Sequence, residues 1–132
     1  MSRGAATALA AAMVIGVACA PIEPDATIEL TDRSIALDRS LVRAGHLVVA
    51  IHNGGTAAHE VAFFRTDADP DRLPYDTGLT QVTLRGPVAE RDNVLVGATK
   101  RLSLDLVAGR YVVICNLPGH YAAGMRVTLE AR

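Results

Sequence analysis

Short apolar runs separated by turn signals follow one another along the chain, and no stretch sustains a period of about 3.6 residues. Residues 27–30 and 34–37 open the series. The strongest run is Leu47-Val48-Val49-Ala50-Ile51-His52, which stops at Asn53-Gly54-Gly55. Residues 59–64 form the next, before a loop over 66–78 rich in Asp and Pro. Shorter strands are expected at 80–84 and 94–96. Residues 100–106 alternate cleanly, with Leu102, Leu104 and Leu106 on one face. Val107-Ala108-Gly109 reads as a hairpin turn into a strand over 110–115, and 125–130 closes the chain. Short strands with turn signals between them predict an all-β domain, a β-sandwich with Greek-key connections. No internal repeat, low-complexity tract or second domain is visible.

Parity refines this picture. Tyr111, Val113 and Cys115 fall on one face of their strand, as do His59, Val61 and Phe63, and Met125, Val127 and Leu129. Cys115, His59 and Met125 therefore sit at strand ends, in phase with apolar residues expected to point inward. A sandwich with that arrangement gathers three strand ends at one pole.

With 132 residues the chain has room for one domain after any leader is removed. Half of the residues are hydrophobic, but aromatics are few and Trp is absent, so aliphatic side chains must build the core. The net charge is −1 with both signs scattered, which leaves no footprint for nucleic acid and no polybasic patch for anionic lipid. Residues 1–19 read as an export leader: Arg3 supplies the positive start, and an apolar run follows that is too short for a membrane span of about 20 residues. Two endings compete. Gly16-Val17-Ala18-Cys19 resembles a lipobox, which would place a lipid anchor on Cys19, whereas Ala18-Cys19-Ala20 would suit ordinary signal peptidase. The mature domain is expected over 26–131, exported to the periplasmic or extracellular face, with a lipid on Cys19 its one membrane link if the lipobox ending holds.

Of the two cysteines only Cys115 lies in that domain, so no internal disulfide is expected, and a lone exported thiol calls for another explanation. Its neighbourhood supplies one. Cys115-Asn116-Leu117-Pro118-Gly119-His120-Tyr121-Ala122-Ala123-Gly124-Met125 places a thiolate, an imidazole and a thioether at Cys-x4-His-x4-Met spacing. Blue-copper sites combine two histidines and a cysteine with a weak axial methionine. Asn53-Gly54-Gly55-Thr56-Ala57-Ala58-His59 offers the second histidine. The expected ligands of one type 1 copper ion are thus His59, Cys115, His120 and Met125. Zinc is the competing metal, but methionine lies outside its usual ligand set.

These residues resemble the cupredoxins, small blue-copper proteins of the plastocyanin and azurin kind, over most of residues 26–131. Residues 111–120 look like the strand and loop that carry the family's copper cysteine and second histidine. Met125 falls at the axial position, and residues 53–60 are similar to the segment around the first histidine. The resemblance implies a Greek-key sandwich and one-electron transfer, with donor and acceptor proteins docking near His120. The chain departs from the family at Glu60, where many members place Asn or Ser to lock the two ligand loops together. From the residues themselves, Glu60 is expected to be a solvated carboxylate on the outward face.

Other candidates read as ordinary. His46 and His52 flank one strand and are expected to be exposed or hydrogen-bonded rather than a second copper site. Asp67-x-Asp69-x-Asp71 lacks the glycine and glutamate of a calcium loop, with Arg72 and Gly78 in their places. Tyr75 and Tyr121 are expected to pack locally. The leading reading is a monomeric electron carrier, not an enzyme. The alternative is a copper-handling protein that buffers or delivers the ion. Four histidines in all leave little for the additional copper centres of a multicopper enzyme.

Overall fold

A computed structural model describes residues 1, 13, 15–16 and 18–132. Much of the expected leader, 1–19, lies outside the described residues. The strands are β1 (Ala26–Thr31), β2 (Ser34–Leu37), β3 (Leu41–Val42), β4 (Gly45–Asn53), β5 (His59–Arg65), β6 (Tyr75–Asp76), β7 (Gln81–Val82), β8 (Ala89–Val94), β9 (Thr99–Leu106), β10 (Gly109–Ile114) and β11 (Arg126–Ala131). Among the described residues, the remaining elements are a 3-10 turn at Pro70–Arg72 and one helical turn, α1 (His120–Ala123). Among the described residues, no helix is long and apolar enough to cross a membrane.

Two sheets form the sandwich, with strand orders β2-β1-β4-β9 and β3-β11-β10-β5-β8. The parallel pairings β1·β4 and β3·β11 arise because the chain repeatedly crosses between the sheets. The core between them is aliphatic, as the composition demands: Ile28, Leu30, Val49, Ile51, Val61, Leu104, Leu106, Val113 and Leu129 pack there around Phe63 and Tyr111. Alternation puts Cys115 and Met125 into this core as well.

Four local expectations change. Val107-Ala108-Gly109 is not a hairpin turn: β9 pairs with β4, while β10 pairs with β5 and β11 in the other sheet. The turn is tight, but it carries the chain across the sandwich. The strand expected at 94–96 lies earlier, at Ala89–Val94, and Leu95 and Val96 are exposed. This is an edge strand, so its Ala-Glu-Arg-Asp-Asn-Val sequence needs little apolar alternation. The strand expected over 80–84 shrinks to Gln81–Val82, and the loop over 66–78 holds the 3-10 turn and β6.

That segment has a purpose that its polar composition hides. β5 and β10 are apolar on both faces, and their outer residues Ala62, Phe64, Val112 and Ile114 form a second core with Leu73, Val82 and Tyr121. The chain from 66 to 84 covers this face. Asp69, the middle of the three aspartates, caps the 3-10 turn by accepting Asp71 N–H at 2.9 Å, while Asp71 pairs with Arg126. Tyr121 pins the cover: its hydroxyl donates to Pro70 O at 2.6 Å and accepts Leu73 N–H at 3.1 Å. Tyr75 packs against the same ring, with centroids 5.7 Å apart.

Candidate metal centre

Three segments meet at one pole of the sandwich. His59 is the first residue of β5, Cys115 directly follows β10, and His120 opens α1. Because β5 and β10 are hydrogen-bonded neighbours, His59 and Cys115 emerge side by side. The ligand loop then folds back on itself: Cys115 N–H donates to Met125 O, and Met125 N–H to His120 O, both at 3.1 Å. Met125 is completely buried at the end of that loop.

The donor atoms converge. His59 Nδ1 and His120 Nδ1 are 3.1 Å apart, and Cys115 Sγ lies 3.4 Å from His120 Nδ1 and 4.0 Å from His59 Nδ1. Zinc, a first-row ion of comparable size, binds nitrogen at about 2.0–2.1 Å and sulfur at about 2.3 Å. Donors sharing such an ion can stand at most about 4.1 Å (N···N) or 4.4 Å (N···S) apart. All three separations fall inside those limits, so the three side chains can hold one ion as they stand. Together with the thioether of Met125 in the same loop, this is the donor set of a type 1 copper centre.

Electrostatics prepare the site for a metal. Burial pushes the Cys115 thiol up, with the Glu60 charge adding to the shift, against the lowering effect of Glu60 and Leu117 N–H groups. A cation is therefore needed to hold the thiolate at neutral pH. His120 is shifted down, first by burial and then by the nearby His59, which favours the neutral, metal-binding imidazole. His59 is buried and His120 only partly so, which leaves His120 as the histidine that reaches the surface.

Glu60 does not behave as expected from the sequence. It is not an outward solvated carboxylate but half-buried: its backbone N–H points at Cys115 Sγ (3.4 Å), and its Oε1 accepts Asn116 N–H at 3.1 Å. One residue thus locks the His59 segment to the Cys115 loop. Burial, followed by the charges of Asp92 and Glu90, raises the Glu60 carboxyl above its usual value, while the Asn116 N–H opposes this.

Three further supports were not legible in the sequence. Asn53, fully buried, donates from Nδ2 to Ala57 O and Val94 O at 2.8 Å each, and its Oδ1 accepts Gly55 N–H at 2.9 Å, which fixes the loop before His59. Asn116 imitates a strand partner for Val82, accepting its N–H at 2.7 Å and donating to its carbonyl at 2.9 Å. Asp32, in the β1–β2 turn, lies with Oδ1 3.1 Å from His59 Nε2. Hydrogen bonds from the Thr56 side chain and backbone hold the Asp32 carboxyl far below the usual carboxylate range. The Asn53-Gly54-Gly55 turn signal marked the loop but not what it binds. Asp32 carried no signal, because its partner is distant in sequence.

His46 and His52 stay outside the centre. His46 Nδ1 is 3.2 Å from Asp105 Oδ1, and His52 Nδ1 is 3.0 Å from Thr99 Oγ1, both in exposed pairs across β4 and β9.

No family model matches the sequence, and no curated protein matches it. Solved structures do. Reduced auracyanin from Roseiflexus castenholzii is 23% identical with a TM-score of 0.57, covering 80% of this chain and 96% of that one. An azurin from Methylomonas sp. strain J is 17% identical with a TM-score of 0.60, over 80% of this chain and 95% of that one. Rusticyanin from Thiobacillus ferrooxidans is 16% identical with a TM-score of 0.61, over 80% of this chain and 76% of that one. At these identities the likeness is one of fold. The two-sheet sandwich, with a Cys-His-Met loop closing one pole, makes this chain a protein of the cupredoxin fold.

Proposed function

We propose that this protein is a one-electron carrier built on a single type 1 copper centre, which His59, Cys115 and His120 would hold as main ligands with the Met125 thioether as a weaker donor. The observation that carries the reading is the convergence of two Nδ1 atoms and one Sγ, all buried or partly buried, on loops braced by the sandwich. Bound copper would supply the Cu(II)/Cu(I) couple; the soft sulfurs favour Cu(I), and imidazole serves both states. The chain's contribution is rigidity. Glu60 N–H and the Asn116–Val82 bridge fix the thiolate, and Asn53 fixes the approach to His59. A site held in one geometry limits the rearrangement that accompanies each electron.

Donor and acceptor proteins would dock at His120. Pro118, Ala122 and Ala123 are exposed beside it and Leu117 is half-buried, which gives a small apolar rim suited to brief contact. The carrier would act as a monomer, exported by the leader at 1–19 and either released or tethered through Cys19. Nothing in this role changes a substrate chemically, so it is not an enzyme.

The test is to add Cu(II) to the purified domain beginning near Pro21 and to record visible and EPR spectra. An intense thiolate-to-copper band with small parallel hyperfine splitting is expected, at one copper per chain and absent in Cys115→Ser. Weak, colourless and readily chelated binding would overturn the electron-transfer reading and leave copper buffering or delivery in its place.

A further inference from the structure

The imidazole of His59 is completely buried, so its outer nitrogen has no water to turn to. Its partner there is a carboxylate: Asp32 Oδ1 lies 3.1 Å from His59 Nε2. The loop that leads into His59 holds that carboxylate in place. Asp32 accepts Thr56 N–H at 2.8 and 3.1 Å, Thr56 Oγ1–H at 2.6 Å and Ala57 N–H at 3.2 Å. The contact also depends on Gly55, since a Cβ there would collide with Asp32 Oδ1 and lie 2.9 Å from His59 Nε2. A fixed anion, a buried imidazole and a glycine that leaves room for their contact form a built arrangement rather than a surface ion pair.

From this geometry we infer that Asp32 is a positioning residue of the metal centre: it holds the proton on His59 Nε2, turns the Nδ1 lone pair toward Cys115 and His120, and lowers the reduction potential. The first two effects follow from hydrogen bonding. A neutral imidazole carries one N–H, and an ionised carboxylate can only accept, so the proton stays on Nε2 and Nδ1 is left as the ligand atom. The third follows from charge. An anion one imidazole away from a metal stabilises the more highly charged oxidation state and makes the ligand more basic. Asparagine at this position would still accept the hydrogen bond but would not supply the charge. The inference rests on the copper reading for its effect on potential, and stands apart from it for the tautomer of His59.

Two measurements test it. In the metal-free 15N-labelled protein, His59 is expected to show a slowly exchanging proton on Nε2. That measurement needs no variant, and a proton found on Nδ1 instead would overturn the inference. In the copper protein, Asp32→Asn is expected to keep the visible band while the potential rises. Asp32→Ala should raise the potential too and loosen copper by about 10- to 100-fold against a chelator. Should Asp32→Asn fail to fold, Asp32→Ser removes the charge with a smaller neutral side chain and should also raise the potential. A blue Asp32→Asn protein with an unchanged potential refutes the role of the charge and leaves the electron-carrier reading intact. A wild-type protein with the Nε2 proton but no blue band supports the positioning of His59 and sinks the copper reading instead.

Discussion

Glu60 stands between the two ligand loops, with its N–H on Cys115 Sγ and its carboxylate on Asn116 N–H. Glutamate does here what a neutral hydrogen-bonding side chain could do, because what the joint requires is an acceptor. Glu60→Gln is therefore expected to fold with near wild-type stability, whereas Glu60→Ala leaves a partly buried amide unpaired and should cost about 1–3 kcal/mol. Urea unfolding of the metal-free proteins compares the two; equal midpoints for both variants would show that the carboxylate locks nothing. Asp38 offers a pH test away from the centre. It accepts Thr27 N–H at 2.7 Å and pairs with Arg39, and the Thr27 bond is the main cause of its lowered pKa. A depressed folded-state pKa gives stability that is present above the unfolded value of 3.8 and lost as pH falls through the folded value. Asp38→Asn should therefore be less stable than wild type at neutral pH, by under about 1 kcal/mol because the group is exposed. The gap should close in acid below pH 3.8, and a gap that persists there would refute the assignment.

The ligand loop is too short to hold its own shape, and its neighbours set it. Gly119 N–H donates to Thr80 O, Asn116 grips Val82, and Gly124 packs against the β1–β2 turn. Gly124 has φ +121, and a Cβ there would run into the backbone carbonyl of Arg33, which cannot rotate away. Gly124→Ala is expected to cost about 1–3 kcal/mol in backbone strain alone and to spread the loop between His120 and Met125. The readout is a blue band that is shifted or lost, along with a lower melting temperature. An alanine protein with both unchanged would show that the turn yields freely.

Across the molecule, two cores share the β5·β10 pair. Phe63 fills the core between the sheets, while Phe64, Leu73 and Tyr121 belong to the outer one. Phe63→Ala should destabilise the whole sandwich by about 3–5 kcal/mol, a large part of the roughly 5–15 kcal/mol typical of a small domain. Tyr121→Phe removes only the hydroxyl that holds Pro70 and Leu73. It should chiefly speed hydrogen exchange over residues 66–84, with little change in global unfolding; uniform acceleration would mean that the cover is not a separate unit. The sequence by itself determined the longer strands β1, β2, β4, β5, β9, β10 and β11, the inward phase of His59, Cys115 and Met125, and the thiolate–imidazole–thioether loop, since these are written in local periodicity and spacing. It could not show that β9 and β10 part company at Val107-Ala108-Gly109, because a tight turn looks alike whether its strands pair or separate. Nor could it show that the polar run over 66–84 covers a second core, because its few apolar anchors follow no period. Only tertiary structure decided the roles of Asp32, Glu60 and Asn116, because each acts on a partner far away in the chain. The donor types that meet at the pole were legible in the residues, but the surroundings that orient them exist only once the two sheets have closed.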